Sequence, residues 1–352
     1  MYKLAIVPKI KRSAEYSDAY GSQYDFKHIR KCLKLICSNI SIDHQIIYES
    51  ELFRKYTNYD GVLFVGLSWE AMHFISTTSN IDIYTWSFNQ TVLNETPEIF
   101  NNTSIIFEQS TLNMAKLTRQ SIDIYSLPLA FQLDKSLSYK YHRPKYDLVF
   151  NGTLFRNRRE DSKYHRVQIL ELLLKKNISI INYNGRSRKK DEKELLQKLK
   201  KYPNFKVKNL FGKSKHYHHG FFSLDLPFLD TDTGTQNEKK YGMSWDELEN
   251  SIWLNHWDIF RAIGSKCNII TFDSPSIKSL GLSDKSVHFY KSSPDNVKQM
   301  VDEIFEIIKS KEVKVVDLNT WNNNSYLSRW EFIINKIRRK KSIPYLHEIN
   351  FD

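Results

Sequence analysis

Short runs of β-branched and aromatic residues alternate with segments of helical periodicity along most of this chain. In the first half, the strand-like runs are LAIV (4–7), GVLFVG (61–66) and IDIYTWSF (81–88), and HIRKCLKLICSNI (28–40) has helical spacing. Such alternation is typical of a parallel sheet whose strands are joined by crossover helices. The first half is therefore predicted to be Rossmann-like, although it carries no glycine fingerprint.

The alternation restarts at about residue 143. Strands are predicted for YDLVFNGT (146–153), ISIINYNG (178–185) and CNIITFD (267–273), and helices for DSKYHRVQILELLLKK (161–176), DEKELLQKLKK (191–201) and SPDNVKQMVDEIFEIIKS (293–310). In the last helix, Ser293 fits an N-cap and Pro294 the first helical position. The segment LSRWEFIINKIRRKK (327–341) is predicted to be an amphipathic helix with a basic end.

A chain of 352 residues is long enough for two α/β domains, each with its own core. We predict an N-terminal domain at 1–140, a second domain at 141–320, and a C-terminal helix and tail at 321–352 that pack back on the first. No run approaches the roughly 18 apolar residues of a membrane span, and the first apolar run is too short for a secretory signal. A cytoplasmic protein without a membrane partner is therefore expected.

The charge of the chain is unevenly distributed. The formal net charge is +12, and residues 135–215 contain 23 Lys and Arg against 7 Asp and Glu. A local surplus of this size favours a polyanionic partner, either nucleic acid or the phosphates of a nucleotide sugar. A solvated lysine-rich face is the alternative.

The stretch DLVFNGTLFRNRRED (147–161) is the most informative. Gly152 and Thr153 end a predicted buried strand, and Arg156, Arg158 and Arg159 follow just before a helix. A glycine there lets backbone amides approach a ligand, while hydroxyl and guanidinium groups donate to a diphosphate. The stretch predicts a diphosphate site, with a tight turn and solvated arginines as the alternative.

A second stretch, WDIFRAIGSKCNIITFD (257–273), is predicted to be a helix followed by a buried strand. Asp258 and Arg261 are three residues apart and so share one helix face. The carboxylate suits ribose hydroxyls and the guanidinium suits phosphate. A surface ion pair is the alternative.

These segments, in this order, resemble the C-terminal half of the bacteriophage DNA β-glucosyltransferases, over about residues 145–340. Those enzymes are inverting glycosyltransferases of the GT-B type that move glucose from UDP-glucose to hydroxymethylcytosine in duplex DNA. Several segments also resemble the wider GT-B superfamily. The resemblance implies an α/β fold in which two Rossmann-like domains face a central cleft, with a C-terminal helix that returns toward the N-terminal domain.

The resemblance also implies a set of donor-binding residues. Gly152 and Thr153 match the family's diphosphate Gly-Ser, Arg159 matches its second phosphate arginine, and Arg156 matches the first after a one-residue shift. The loop 211–214 matches the segment whose backbone reads the uracil. The family's Arg-x-x-Glu pair corresponds to Asp258-x-x-Arg261 here, with the charges in reverse order. The implied donor residues are Gly152, Thr153, Arg156, Arg159, Ser214, Asp258 and Arg261.

The general base is the point at which this chain departs from the family. The family's catalytic Asp aligns near Asn89, whose amide cannot accept the proton of an acceptor hydroxyl. Nearby carboxylates are Asp25, Glu70 and Glu95. Glu95 lies nearest the expected loop, and Asp25 lies in the loop-to-helix region after the first strand. We predict Glu95 or Asp25 as the catalytic residue.

Two further motifs contain possible metal ligands. Asp230-Thr231-Asp232 resembles a metal-binding Asp-x-Asp, but that motif belongs to a different glycosyltransferase fold. His216, His218 and His219 form HYHHG (216–220), which is interpreted as a flexible basic loop near the donor or DNA, with a metal site as the weaker alternative. A divalent metal is compatible with the sequence but is not required by it.

The resemblance implies a UDP-sugar-dependent, inverting glycosyltransferase, with UDP-glucose as the expected donor. The acceptor that it implies is the hydroxymethyl group of a modified pyrimidine in double-stranded phage DNA. The implied protein is a monomer in the host cytoplasm that helps the phage evade restriction. One alternative is a GT-B enzyme with a cell-surface or small-molecule acceptor. Another is a GT-B-fold protein that binds nucleic acid or a nucleotide without turnover.

Overall fold

The computed structural model describes residues 1–9, 26–87, 97–108, 122–128, 130–131, 144–151, 154, 165–183, 190–208, 214–226, 257–291 and 296–345. The chain divides into two compact units. Unit 1 comprises Met1–Gln132 together with Ser325–Asp352, and unit 2 comprises Leu133–Asn324. The chain therefore leaves unit 1, builds unit 2, and returns to unit 1.

Unit 1 contains a six-stranded sheet in which all neighbouring strands are parallel. In chain order the strands are β1 (Tyr2–Pro8), β2 (Ile42–Ile46), β3 (Gly61–Val65), β4 (Asp82–Ser87), β5 (Thr103–Glu108) and β6 (Asp123–Ser126). Their spatial order is β2-β1-β3-β4-β5-β6. Helices α1 (Phe26–Ile36), α2 (Glu49–Lys55) and α3 (Trp69–Thr77) follow β1, β2 and β3 along the chain.

Both faces of this sheet are buried, which explains why its strands contain continuous apolar runs. In β1, Leu4 and Ile6 belong to one apolar cluster, whereas Ala5 and Val7 belong to a second. All four side chains are 0% exposed. Because successive residues of a strand point to opposite faces, a run of this kind requires cover on both sides of the sheet. The Rossmann-like prediction for the first half is confirmed.

Unit 2 contains a second six-stranded parallel sheet. Its strands are β7 (Tyr146–Asn151), β8 (Ile180–Tyr183), β9 (Phe205–Lys208), β10 (Gly220–Leu224), β11 (Ile269–Phe272) and β12 (His288–Tyr290), in the spatial order β12-β11-β10-β7-β8-β9. Its helices are α4 (His165–Lys175), α5 (Lys190–Leu199), α6 (Trp257–Gly264), α7 (Pro275–Lys278), α8 (Val297–Ser310) and α9 (Leu318–Asn323).

Close packing between β7 and β10 requires a glycine at the start of β10. A Cβ added to Gly220 would lie 2.4 Å from the backbone nitrogen of Val149 and 2.6 Å from the carbonyl carbon of Leu148. These are backbone atoms of the adjacent strand and cannot move aside as a flexible side chain could. The close approach of β7 to β10 therefore leaves no room for a side chain at position 220.

Side-chain hydrogen bonds hold the N-terminus of α8. Asn296 is the N-cap, and its Oδ1 accepts a hydrogen bond from the Gln299 backbone N–H at 3.2 Å. Its Nδ2 donates to Gln299 Oε1 at 2.9 Å, so the two side chains form a reciprocal cap. The predicted N-cap Ser293 and the predicted first helical residue Pro294 lie outside the described residues.

The last helix, α10 (Tyr326–Lys340), packs in unit 1. Its apolar face, Trp330, Ile333, Ile334 and Ile337, is fully buried in the cluster that contains Leu4 and Ile6. The Trp330 ring meets Trp86 of β4 edge-on, with ring centroids 5.8 Å apart. The predicted return of the C-terminal helix to the N-terminal domain is confirmed. No helix in the described ranges is long and apolar enough to cross a membrane.

The strand order reverses once in each sheet. The reversal lies between β1 and β3 in unit 1 and between β7 and β10 in unit 2. In open parallel α/β sheets, ligands bind beyond the carboxyl ends of the strands at such a reversal. These two edges are therefore the places to look for functional groups.

Candidate functional site

Asn151 ends β7 at the strand-order reversal of unit 2. Its side chain is only 5% exposed. Among the residues that the structure describes, neither Nδ2 nor Oδ1 of this amide has a hydrogen-bond partner. Leaving a buried polar group unpaired costs about 1–3 kcal/mol, so such a group calls for an explanation. Because Asn151 directly precedes the predicted diphosphate residues Gly152 and Thr153, a ligand is the natural partner.

A buried arginine and a buried aspartate lie beside the same edge. Asp225 directly follows β10, and its Oδ2 accepts a hydrogen bond from Thr271 Oγ1 at 2.9 Å. Arg166, in the first turn of α4, donates from Nη2 to the carbonyl oxygen of Leu226, and its guanidinium lies 5.4 Å from the centroid of the Phe150 ring. These contacts join the end of β10 to the start of α4. Arg166 therefore holds the chain after β10 against the start of α4.

A second asparagine secures the end of β7 from the neighbouring strand. Asn182 of β8 is 0% exposed, and its Nδ2 donates to the carbonyl oxygen of Phe150 at 3.1 Å. This bond fixes the backbone immediately before Asn151. The two asparagines therefore differ in their hydrogen bonding. The Asn182 amide donates to the backbone of β7, whereas the Asn151 amide is not bonded to any described residue.

The HYHHG motif folds into a 3₁₀ helix, Ser214–His219, which leads into β10. The ring of His216 stacks on Tyr183 at the end of β8, with centroids 4.5 Å apart and planes 1° apart. The Tyr183 hydroxyl is hydrogen-bonded to His219 Nδ1, and burial raises the pKa of Tyr183 to about 12.

This packing bears on both interpretations of the HYHHG motif, the flexible basic loop and the metal site. His216 and Tyr217 are 8% and 1% exposed, so the interpretation of HYHHG as a flexible basic loop was wrong. The physical reason is that flat imidazole and phenol rings bury well against one another despite their polar atoms. Within the described ranges, no group of three or more His, Cys, Asp or Glu side chains could hold a metal ion.

The structure describes only part of the predicted donor set. Ser214 is the first residue of the 3₁₀ helix, which packs against α6. Asp258 and Arg261 both lie in α6, three residues apart as predicted, and Arg261 is half-buried. The predicted residues Asp25, Glu95, Gly152, Thr153, Arg156 and Arg159 lie outside the described residues, as do Asn89 and Asp230–Asp232.

The strand-order reversal of unit 1 brings three connections together. Lys9 follows β1, donates from its backbone N–H to the Val65 carbonyl at 2.9 Å, and donates from Nζ to the Leu67 carbonyl at 2.5 Å. Gly66 turns the chain after β3 with φ +74°, a backbone conformation that favours glycine. This turn leads to Ser68, the N-cap of α3, whose Oγ accepts from the Ala71 N–H at 2.9 Å.

Glu49, the first residue of α2, lies against this turn. Its Oε1 accepts a hydrogen bond from Ser68 Oγ at 2.6 Å. Burial raises the pKa of the Glu49 carboxyl, and the nearby charge of Glu70 raises it further, while the Ser68 hydrogen bond and Lys9 oppose the shift. Glu70 itself is exposed in the first turn of α3.

Sequence reasoning missed both Glu49 and Asn151 as site residues. Glu49 follows β2, whose residues IDHQI contain three consecutive polar residues and were not recognised as a strand. The available signal was the pair of acidic residues, Glu49 and Glu51, at a helix start. For Asn151 the signal was an amide at the carboxyl end of an otherwise apolar strand.

The two doubly wound parallel sheets, with the last helix returned to the first unit, define a GT-B fold, and the predicted fold is confirmed. Solved structures share it over nearly the whole chain. Anabaena Alr3699/HepE, in complex with UDP and glucose, matches with a TM-score of 0.59 and 8% identity over 96% of this chain and 100% of that chain. Sucrose-phosphate synthase from Thermosynechococcus elongatus matches with a TM-score of 0.58 and 10% identity over 97% and 99% of the two chains.

Enzymes of a different reaction class share the same architecture. UDP-GlcNAc 2-epimerase from Methanocaldococcus jannaschii, in complex with UDP-GlcNAc and UDP, matches with a TM-score of 0.52 and 14% identity over 96% of this chain and 99% of that chain. No protein-family model matches the chain, and neither does any curated protein. At these identities the similarity establishes the fold, and the activity has to be argued from the site.

Proposed function

We propose that this protein is a glycosyltransferase that takes its sugar, expected to be glucose, from a UDP-sugar. The observation that carries the proposal is the buried, unpaired amide of Asn151 at the strand-order reversal of unit 2. Structures of the same fold were determined with UDP and glucose and with UDP-GlcNAc and UDP. The phosphate oxygens of a nucleotide sugar can accept hydrogen bonds from the Asn151 amide, and its hydroxyl groups can donate to it.

The proposed donor site extends from Asn151 into the residues that the sequence predicts. Gly152 and Thr153 bind the diphosphate, and the arginines Arg156 and Arg159 neutralise its charge as it leaves. Ser214 lies in the segment that reads the uracil. Asp258 holds the ribose hydroxyls and Arg261 reaches a phosphate. Backbone amides and guanidinium groups that are already in place when charge develops on the leaving group lower the barrier, so no metal ion is required.

The proposed reaction is a direct displacement at the anomeric carbon, with inversion. A carboxylate takes the proton of the acceptor hydroxyl as its oxygen attacks the sugar. The sequence predicts Glu95 or Asp25 for this role.

The proposed acceptor is the hydroxymethyl group of a modified pyrimidine in duplex DNA. The surplus of positive charge in 135–215 supports this choice. Among the acidic residues of that segment, Asp147 pairs with Lys311, which lies outside the segment, at 2.8 Å. Six exposed lysines of the segment form no ion pair with any described residue: Lys145, Lys193, Lys200, Lys201, Lys206 and Lys208. In the proposed setting a monomer acts on phage DNA in the host cytoplasm.

A transfer assay tests the function and its acceptor together. The protein is incubated with labelled UDP-glucose and duplex DNA that contains hydroxymethylcytosine or hydroxymethyluracil, with unmodified DNA as control. We expect label on modified DNA alone. Label on a small hydroxylated acceptor but not on DNA would favour the alternative acceptor class. UDP-sugar or DNA binding without turnover would favour a non-catalytic binding protein.

The salt dependence of DNA binding tests the role of these exposed lysines separately. Each phosphate contact contributes roughly 0.9 to the slope of log K against log salt. The double variant Lys206→Gln/Lys208→Gln is expected to lower that slope by about 2, whereas the exposed control Lys285→Gln leaves it unchanged. Equal slopes for all three proteins would remove this surface from the DNA interface.

A further inference from the structure

The strand-order reversal of unit 1 carries an acid–base group that the proposed reaction has not yet used. Three connections meet there: the residue after β1, the turn after β3 and the start of α2. Each places a polar side chain at the edge, namely Lys9, Ser68 and Glu49. In a Rossmann-like sheet, this is the position at which a ligand is expected.

The carboxyl group of Glu49 is both fixed and available. Ser68 Oγ donates to Oε1 at 2.6 Å, and the same Oγ accepts from the Ala71 N–H at 2.9 Å, so the serine is held by the helix and in turn holds the glutamate. No described residue donates a hydrogen bond to Oε2 of Glu49. The side chain is half-buried, not enclosed. One oxygen is therefore oriented and the other remains open to a partner.

The groups around Glu49 raise the pKa of its carboxyl, which makes it a better base. Partial burial and the negative charge of Glu70 on α3 raise its pKa, and Lys9 after β1 moderates the increase. An ordinary surface carboxylate is a weak base near neutral pH, and a higher pKa makes it a better one.

We propose that Glu49 is the general base that deprotonates the acceptor hydroxyl, with Ser68 as the residue that orients it. This inference rests on the glycosyltransferase function proposed above. Oε2 takes the hydroxyl proton while an electron pair of the acceptor oxygen forms the bond to the anomeric carbon. The bond from that carbon to the diphosphate breaks, and its electron pair leaves with UDP. The neutral Glu49 then returns its proton to water.

The test compares pH profiles of kcat/KM for transfer to hydroxymethylcytosine DNA. Glu49→Gln keeps an oxygen that can accept from Ser68, so its unfolding midpoint should stay close to that of the wild type. We expect its kcat/KM to fall by about 10²- to 10⁴-fold, the usual contribution of a general base, with loss of the acidic limb. Calorimetry should give an unchanged Kd for UDP. Glu51→Gln, on the same helix, is the matched control and should retain the wild-type profile.

Two further variants give readouts that a merely structural role would not produce. Removing the neighbouring charge in Glu70→Gln should move the acidic limb to lower pH, and Lys9→Met should move it to higher pH, because these charges act on the Glu49 pKa in opposite directions. In Glu49→Ala, added formate should restore part of the lost rate by supplying a carboxylate in the vacated space.

The outcomes separate this inference from the proposed function. If the wild type transfers glucose and Glu49→Gln retains both rate and acidic limb, the inference is overturned while the function stands. The same holds if Glu95→Gln or Asp25→Asn removes the acidic limb and Glu49→Gln does not. If the wild type transfers sugar to no acceptor, the function and the inference fall together.

Discussion

Replacing Asn151 with leucine should raise the stability of unit 2 and weaken nucleotide binding. The two side chains branch at the same atom and contain the same number of heavy atoms, so leucine fits the space with little repacking. In the structure both polar atoms of the amide are buried without a described partner. Removing a buried unpaired amide recovers its desolvation penalty, so the change is expected to stabilise the protein rather than destabilise it.

The magnitudes follow from those two unpaired groups. Each costs about 1–3 kcal/mol, and strain from the larger methyl groups offsets part of the gain, so we expect a net stabilisation of about 2 kcal/mol. For a unit of this size, that raises Tm by about 4–8 °C. A hydrogen bond to a charged phosphate is worth about 1.5–3 kcal/mol, so UDP should bind roughly 10- to 100-fold more weakly.

Differential scanning calorimetry and UDP titration calorimetry measure the two effects, and Asn182→Leu is the matched control. Asn182 is equally buried, but its Nδ2 donates to the Phe150 carbonyl at 3.1 Å. That variant should lose about 1 kcal/mol because the hydrogen bond to the Phe150 carbonyl is lost. If Asn151→Leu is destabilised as much as Asn182→Leu and binds UDP normally, the Asn151 amide is a structural group and the reasoning is refuted.

Three other measurements test separate parts of the structure. Arg159→Ala should raise the donor KM or abolish turnover, because a phosphate loses its guanidinium partner; an unchanged rate would remove Arg159 from the donor site. Gly220→Ala should lower the free energy of unfolding by about 1–3 kcal/mol or more in urea titrations, since the added Cβ meets the backbone of β7, and an unchanged midpoint would contradict that contact. Burial raises the pKa of each thiol, to about 11 for Cys32 and about 12 for Cys37 and Cys267, so a thiol reagent at pH 8 should label the native protein slowly and the unfolded protein rapidly at three sites. Rapid labelling of the native state would show that these cysteines are accessible.

The sequence predicts several strands that are buried on both faces, although β5, which is buried in both apolar clusters of unit 1, was not predicted. The runs LAIV and GVLFVG became β1 and β3, and the helical segment at 28–40 became α1 with a 3₁₀ turn at its end. Burial on both faces disfavours polar residues, so such strands can be recognised in the sequence as continuous apolar runs. The edge strands were not recognised: β9, FKVK, has polar residues at alternate positions, and β2, IDHQI, has three polar residues in a row.

The site was harder to predict because its residues come together only through topology. Glu49 and Ser68 are 19 residues apart in sequence, and the link between them depends on β3 lying on the far side of β1 from β2. Spacing can place Asp258 and Arg261 on one helix face, since a helix is a local structure. It cannot reveal that an amide such as that of Asn151 is buried without a partner, because that depends on every neighbouring strand.

The burial of α10 in unit 1 affects the order in which the protein can fold during synthesis. The ribosome completes all of unit 2 before it makes Trp330 and Ile333, which belong to the same apolar cluster as the first sheet and α1. Domains usually fold in the order in which they emerge. Here the first sheet emerges early with one face only partly covered by α1 and must wait for the last helix. A nascent chain should therefore expose the rest of that apolar face throughout the synthesis of unit 2 and be most vulnerable to aggregation and proteolysis then.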